Sequence, residues 1–169
     1  MTATKPLTKH PVRKPAATAA MPKRPSEGGK AVANRWNAFS SAVVHAAPAQ
    51  RIQHIRAGAK ARSMVDCAST FGVSRETIFD LVGIPASTAN RKIAQGGVLE
   101  LSVTERLARL AAIKQHAEET FGDAEVSRQW LLASNTALGG CSPLSLLDTD
   151  IGAREVAKAL ASIAYGGVA

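Results

Sequence analysis

Glycines that end short apolar stripes are the feature of this sequence that most constrains its fold. Gly72, Gly83, the pair Gly96–Gly97 and Gly122 each follow a segment whose apolar residues recur at helical spacing. Glycine is favoured just past the end of a helix, and apolar side chains three and four residues apart form one buried helix face. Alternation of apolar and polar residues is absent, and alanine and leucine dominate the apolar set. The pattern therefore predicts an all-α protein.

Residues suited to a helix start precede several of these segments. Short polar side chains can accept a hydrogen bond from the amides of the first turn, and proline fits the first helical position. The predicted starts are Ser74, Pro85, Ser102 with Glu105 as a capping box, Asp123, and the capping residues Asp148 and Asp150 before the last helix, which starts near Thr149 or Asp150.

Charge is distributed unevenly along the chain. Residues 1–30 carry seven Lys/Arg against one Glu, hold five of the eight prolines and lack apolar periodicity, so we predict a disordered basic tail, either a solubilising extension or an arm that grips DNA. Residues 31–101 carry eight Lys/Arg against four Asp/Glu, and we predict a helical region with a helix-turn-helix there. Residues 102–169 carry six against eight and form a third predicted region. A basic front and a slightly acidic back indicate two different partners.

Two registers of a helix-turn-helix fit the basic region. Gly72 is the turn glycine in one register, and SRETIFDLVG is then the second helix. Gly83 is the turn glycine in the other, with ASTANRKIAQ as the second helix. The first choice would bring Glu76 and Asp80 to the phosphates, whereas ASTANRKIAQ contains no acid. We therefore choose ASTANRKIAQ as the recognition helix, although a solvated surface helix is the alternative interpretation.

Side chains in and before this helix suit DNA. Ser, Thr and Lys can contact phosphate, while Asn, Gln and Arg can pair with base edges. The candidate DNA-binding residues are Arg75, as a backbone clamp on the supporting helix, and Ser87, Thr88, Asn90, Arg91, Lys92 and Gln95.

Several other classes of protein are disfavoured by the sequence. No apolar run is long enough to span a membrane, and no secretory signal is visible, so we expect a cytoplasmic protein with no membrane partner. Cys67 and Cys141 are far apart and are expected to be reduced thiols. The four histidines lack ligand spacing, and no nucleophile has a neighbouring base. We expect no metal, no cofactor, no catalytic residue and no enzymatic activity.

The C-terminal third carries a long and specific motif. The segment from Thr120 to Gly166 closely resembles the toxin-binding domain of the Xre/MbcA/ParS antitoxin family. The residues that match the family pattern are Phe121, Gly122, Trp130, Leu131, Asn135, Leu138, Gly139, Gly140, Pro143, Leu144, Leu147, Asp148, Thr149, Gly152, Val156 and Gly166. Ahead of it, the segment from about Ile55 to Leu110 is similar to that family's Xre-like helix-turn-helix region, and the two resemblances together cover about residues 55–169. The chain departs from the family at Ala89, where a bulky apolar residue is usual, and at Asn90, Arg91 and Lys92, where the family often has two or three arginines.

The resemblance implies an antitoxin of a type II toxin–antitoxin system. Its partner would be a RES-domain toxin that depletes NAD, and the antitoxin would block the toxin's active site and bind operator DNA to repress its own operon. A homodimer within a larger toxin–antitoxin complex is expected, because operators commonly consist of two half-sites. The region from Trp36 to Ile55 is our expectation for the dimer contact. The resemblance places the toxin-binding residues at Trp130, Asn135, Leu138, Gly139, Gly140, Tyr165, Gly166, Gly167, Val168 and Ala169.

The last five residues suggest how such a block could work. Tyr165 to Ala169 are slender and carry no charged side chain, so they could enter a narrow cleft, and the terminal carboxylate could pair with a basic group there. A frayed terminus is the alternative. Trp130 is interpreted first as a core aromatic packed on Phe121 and second as a toxin contact, and the Asn135–Gly140 residues as turn-forming before partner-contacting.

Two other functions remain open from the sequence. One is a stand-alone helix-turn-helix regulator whose helical back half only dimerises. The other is a DNA-partition accessory that bridges an array of sites. A neighbouring gene for a RES-type enzyme would favour the antitoxin.

Overall fold

The computed structural model describes residues 34–166, and every regular element in this part of the chain is helical. Eight α-helices follow one another: α1 Arg35–Val44, α2 Pro48–Ala57, α3 Ser63–Phe71, α4 Arg75–Val82, α5 Ala86–Ala94, α6 Leu101–Phe121, α7 Ala124–Leu132 and α8 Asp150–Ala164. Two short 3₁₀ segments, Thr136–Leu138 (the 3₁₀ turn) and Pro143–Asp148 (the 3₁₀ helix), lie between α7 and α8. The all-α prediction is therefore confirmed for the described residues.

Most helix boundaries follow from local sequence signals. The Ser74 side chain accepts a hydrogen bond from the Thr77 amide at 3.0 Å and begins α4. The Asp123 carboxylate accepts from the amides of Glu125 and Val126 and begins α7. Such caps satisfy amides that the first helical turn leaves without a partner. Gly72, Gly83 and Gly122 end α3, α4 and α6 with left-handed backbones, as predicted.

Two predicted caps are wrong. The helix α6 begins at Leu101 with Glu100 at the cap position, so Ser102 lies inside the first turn and no capping box with Glu105 forms. At the last helix, the Thr149 hydroxyl accepts from the Gly152 amide at 3.0 Å, and neither aspartate caps the helix. Asp150 is instead the first residue of α8 and pairs with Arg154 one turn later. In both helices a residue close to the predicted one occupies the cap position, Glu100 in α6 and Thr149 in α8.

The long helix α6 organises the core. It contacts α1, α2, α4, α7, α8 and the 3₁₀ helix, and its buried face includes Leu107, Leu110 and Ala117. Trp36 of α1 is completely buried and packs against Phe71, with ring centroids 6.3 Å apart. One apolar cluster runs from α1 to α8. The basic and acidic parts of the sequence therefore share one core in the described chain.

A short backbone link joins the segment before α3 to the segment after α5. The Leu99 amide donates to the Ala59 carbonyl at 2.8 Å, and the Ala61 amide donates to the Gly97 carbonyl at 2.9 Å. These bonds form an isolated antiparallel bridge between Lys60 and Val98. Within residues 34–166, no helix has both the length and the apolar composition that a membrane crossing requires.

Candidate functional site

The helices α4 and α5 differ in how far the core encloses them. Four residues of α4 are buried, and this helix contacts α3, α5, α6 and the 3₁₀ helix. By contrast, Ala89 is the single buried residue of α5, and the main contact of α5 is with α4. A recognition helix must leave one face open to the groove of the DNA. In the structure α4 is thus enclosed by its neighbours, and α5 keeps most of its surface open.

Ala89 explains how α5 is held. Its methyl group is completely buried against the core, so the small residue that departs from the family pattern occupies the anchoring position of the helix. Ser87, Asn90, Arg91 and Gln95 are exposed, and Thr88 and Lys92 are half-buried. Five of the six lie on α5, and Gln95 is its C-terminal cap. The six predicted side chains of this segment thus share one short helix with its end.

One of the two cations of α5 forms an ion pair with a residue outside the helix. The Lys92 ammonium lies 3.5 Å from a carboxylate oxygen of Glu100, which is exposed at the start of α6. Arg91 is exposed and makes no ion pair with a residue in the described part of the chain. Arg91 is therefore the cation of α5 that is available to an anion without breaking an existing pair. Sequence reasoning did not anticipate Glu100, because it lies beyond the glycine pair that ends the helix.

Two arginines of α6 donate hydrogen bonds to the C-terminal ends of α4 and of the 3₁₀ helix. The Arg106 guanidinium donates to the Val82 carbonyl at 3.0 Å, at the end of α4 and one residue before the turn glycine Gly83. The Arg109 guanidinium donates to the carbonyls of Leu147 and Asp148 at 3.2 and 3.3 Å. Carbonyls at a helix end lack partners within the helix, so these bonds satisfy them. The sequence analysis did not predict a role for these two arginines. Their i, i+3 spacing between buried positions of α6 is the signal that could have indicated it. Arg75 is exposed at the first position of α4.

The Asn135 loop is closed by its own hydrogen bonds. The Asn135 side chain accepts from the Ala137 amide at 2.9 Å, and its backbone bonds to both Gly140 and Cys141. Gly139 and Gly140 are exposed with φ of 68° and 82°, a backbone region that glycine enters without strain. Leu138 is half-buried and packs on the core. These residues shape the turn, and the two glycines are its outward face.

Trp130 packs on Phe121, as the sequence analysis expected, with ring centroids 5.6 Å apart at 48°. It is half-buried, so part of the ring remains in solvent. Trp36, by contrast, is completely buried inside the chain's own core and is not available to a second copy. Within the segment expected to form the dimer contact, Ile52 is 49% exposed.

The end of α8 leaves an aromatic ring in solvent. Tyr165 follows the last helical residue and is 91% exposed, and Gly166 is exposed with a left-handed backbone. Ile151 at the other end of α8 is 73% exposed. Tyrosine is among the residue types that are enriched at protein interfaces and among their energetic hot spots. The predicted contacts Gly167, Val168 and Ala169 lie outside the described residues.

The thiols and acids of the described residues form no metal cluster of three or more ligand side chains. Cys67 is buried, and burial raises the pKa of its thiol, so it stays protonated at neutral pH. Hydrogen bonds from Arg128 and then Gln129 lower the pKa of Glu125 to about 2, because they favour the charged carboxylate. These groups belong to the core and to the surface of α7, respectively.

Two family models match the chain, one after the other. Residues 50–112 match the model of the antitoxin Xre-like helix-turn-helix domain, and residues 116–166 match that of the antitoxin Xre/MbcA/ParS C-terminal toxin-binding domain. A Prs ADP-ribosylating antitoxin of Sphingobium sp. (strain YBL2) is 31% identical over 137 residues, which cover 76% of this chain and 86% of the relative. The chain belongs to the Xre/MbcA/ParS antitoxin family. As a member of that family, it is an antitoxin of a toxin–antitoxin system with a helix-turn-helix domain.

Other relatives carry the family name. The antitoxin Xre of Photorhabdus laumondii is 31% identical over 58% of this chain and 66% of its own length. The antitoxin Xre of Pseudomonas putida is 32% identical over 49% of this chain and 52% of its own length. Membership of the Xre/MbcA/ParS family favours the antitoxin interpretation over a stand-alone regulator or a partition accessory.

Proposed function

We propose that this antitoxin neutralises a RES-domain, NAD-depleting toxin by placing its C-terminal segment in the toxin's active site. The observation that carries the proposal is Tyr165, which is 91% exposed where α8 ends, directly before the last residues of the sequence. Trp130 and the Asn135–Gly140 loop provide further exposed surface in the same toxin-binding domain. The antitoxin itself takes no catalytic part in this function.

The physical argument rests on what a catalytic cleft can admit. Such clefts are concave and narrow, and a charge buried there without a partner is costly. Tyr165 and Gly166 combine a ring that can fill a pocket with a residue that imposes little bulk, and no side chain from Tyr165 to Ala169 is charged. Displacing the small-molecule substrate then requires only this segment to enter, while the helices contact the rim.

Deleting Gly166–Ala169 tests this mechanism. We expect the shortened antitoxin to keep its thermal unfolding midpoint and its binding to the toxin, yet to lose protection when both proteins are co-expressed, with cellular NAD falling. A chain shortened by four residues at the N-terminus is the matched control and should protect cells as the full chain does. Complete protection by the C-terminally shortened chain would reject insertion and leave occlusion by the helices.

We further propose that a homodimer of the antitoxin binds operator DNA in the cytoplasm through α5 and represses its own operon. The support is an acid-free helix with one buried residue, an exposed Arg91 and a match to a helix-turn-helix domain. Arginine can bond to guanine with two hydrogen bonds, which fixes a base as well as a phosphate. The homodimer would place two copies of α5 on two half-sites one helical turn apart.

Arg91→Ala tests this assignment. We expect operator binding to weaken by about 1–3 kcal/mol per half-site, roughly five-fold to 150-fold, if Arg91 reads a base edge. Fluorescence anisotropy at fixed salt with operator and scrambled duplexes measures the loss, and light scattering reports the stoichiometry. Arg154→Ala on α8 is the control, because Arg154 is exposed and distant in sequence from α5. Unchanged binding by Arg91→Ala would show that α5 is not the recognition helix.

A further inference from the structure

Two cations lie on the outer side of the segment that joins α2 to α3. Along Ala59–Arg62 burial alternates: the alanines are 3% and 0% exposed, whereas Lys60 and Arg62 are exposed. The alanines enter the core cluster, so the segment cannot turn over without exposing them and burying two charges. Core packing therefore fixes both cations toward solvent.

The backbone bridge brings this segment to the end of α5. The bonds Leu99 to Ala59 and Ala61 to Gly97, at 2.8 and 2.9 Å, join it to the loop that follows the recognition helix. That loop folds back on α5, since the Gly97 amide donates to the Lys92 carbonyl at 2.9 Å. Lys60 and Arg62 are thus held beside the C-terminal end of α5 by main-chain contacts rather than by flexible side chains.

The local charge is strongly one-sided. The stretch from Arg35 to Val65 contains five Lys/Arg and no Asp/Glu, and the carboxylate of the next residue, Asp66, accepts a hydrogen bond from the Arg35 amide at 2.9 Å. Arg56, Lys60 and Arg62 are exposed and form no ion pair within residues 34–166. The acid nearest in the linked loop is Glu100, and it is engaged by Lys92. An anion at this surface therefore meets several cations that form no ion pair with a described carboxylate.

We propose that Lys60 and Arg62, together with Arg56 on the last turn of α2, form a phosphate-contacting patch that extends the DNA-binding surface past the C-terminal end of α5. The proposal rests on the DNA binding proposed above and adds the residues that supply its electrostatic part. Phosphate contacts provide most of the sequence-independent affinity of a DNA-binding protein. Because Lys92 is already paired, α5 alone offers one unpaired cation, and the patch supplies the others. The end of a recognition helix contacts the DNA backbone in other helix-turn-helix folds.

The test compares two pairs of substitutions in the full chain. Lys60→Gln/Arg62→Gln removes two charges from the patch, and Arg154→Gln/Lys158→Gln removes two exposed charges from α8. Binding to operator and scrambled duplexes is measured by anisotropy over a range of salt concentrations. We expect the magnitude of the slope of log K against log salt to fall by about 1.8 for each antitoxin copy on the DNA, at roughly 0.9 per phosphate contact, and so by about 3.6 for the proposed homodimer, equally for both duplexes. The α8 pair should leave the slope unchanged.

A charge-conserving variant distinguishes the loss of charge from a loss of folded structure. Lys60→Arg/Arg62→Lys should retain the wild-type slope, and circular dichroism should show equal helix content in all variants. An unchanged slope in the patch variant, or an equal fall in the α8 pair, overturns the patch while operator binding that depends on Arg91 still stands. Loss of toxin binding with unchanged DNA binding would assign the patch to the toxin instead. Failure of the wild-type chain to bind any duplex rejects the DNA-binding function itself.

Discussion

Gly152 shows at the scale of one residue how closely α8 approaches the segment before it. A methyl group added there would collide with the carbonyl oxygen of Leu146, which is main chain and has little freedom to move. The glycine therefore allows the start of α8 to lie directly on the 3₁₀ helix Pro143–Asp148. The family motif includes this glycine, and the structure supplies the reason for it.

We expect Gly152→Ala to destabilise the antitoxin by about 1–3 kcal/mol, the usual cost of forcing extra volume into a packed site. Chemical denaturation of the full chain measures the change. Gly122→Ala is the control, because its added methyl group meets no atom within 4 Å and the remaining cost is that of a left-handed alanine, about 1–2 kcal/mol. A Gly152→Ala variant as stable as the wild type would contradict the close approach.

Helix starts show at the scale of one element how a side chain gains or loses a structural role. Ser74 and Ser102 both precede or open a helical segment in the sequence, and both were expected to cap it. Ser74 does so, whereas Ser102 lies inside the first turn of α6 because the chain enters that helix at Leu101. The bridge at Val98 and the burial of Leu99 direct the chain into α6 earlier than the local signal indicates.

The two serines give a matched comparison. Ser74→Ala should lower the free energy of unfolding by about 1 kcal/mol, since the Thr77 amide loses its acceptor. Ser102→Ala should be neutral or slightly stabilising, because alanine is the better helix former at an exposed position. Urea denaturation of both variants checks the difference. Equal losses would mean that Ser102 caps α6 after all.

One core, rather than two, is the main property at the scale of the whole molecule. The helix α6 packs against α1, α2 and α4 on one side of the sequence and against α7 and α8 on the other. Arg106 and Arg109 add hydrogen bonds from the same helix to both parts. The proposed DNA-binding and toxin-binding surfaces are thus presented by a single packed unit.

We expect residues 34–166 to unfold in one cooperative transition. Separating the helices on either side of α6 from it would expose Val103, Leu107 and Leu110, which are buried in the shared cluster. Neither the helices before α6 nor those after it can therefore unfold alone at low cost. Differential scanning calorimetry should give equal calorimetric and van't Hoff enthalpies. Two resolved transitions would show that the parts fold independently.

The sequence by itself determined the helical class, most helix ends and the family, because glycines, caps and apolar spacing act over a few residues. It also favoured ASTANRKIAQ as the recognition helix on charge alone. Only the tertiary structure decided that α4 is enclosed while α5 is open, that Glu100 engages Lys92, and that Trp36 is internal. It also brought Lys60 and Arg62 beside α5, which lies about thirty residues further along the chain. Those outcomes depend on contacts between segments distant in sequence, and no local pattern encodes such contacts.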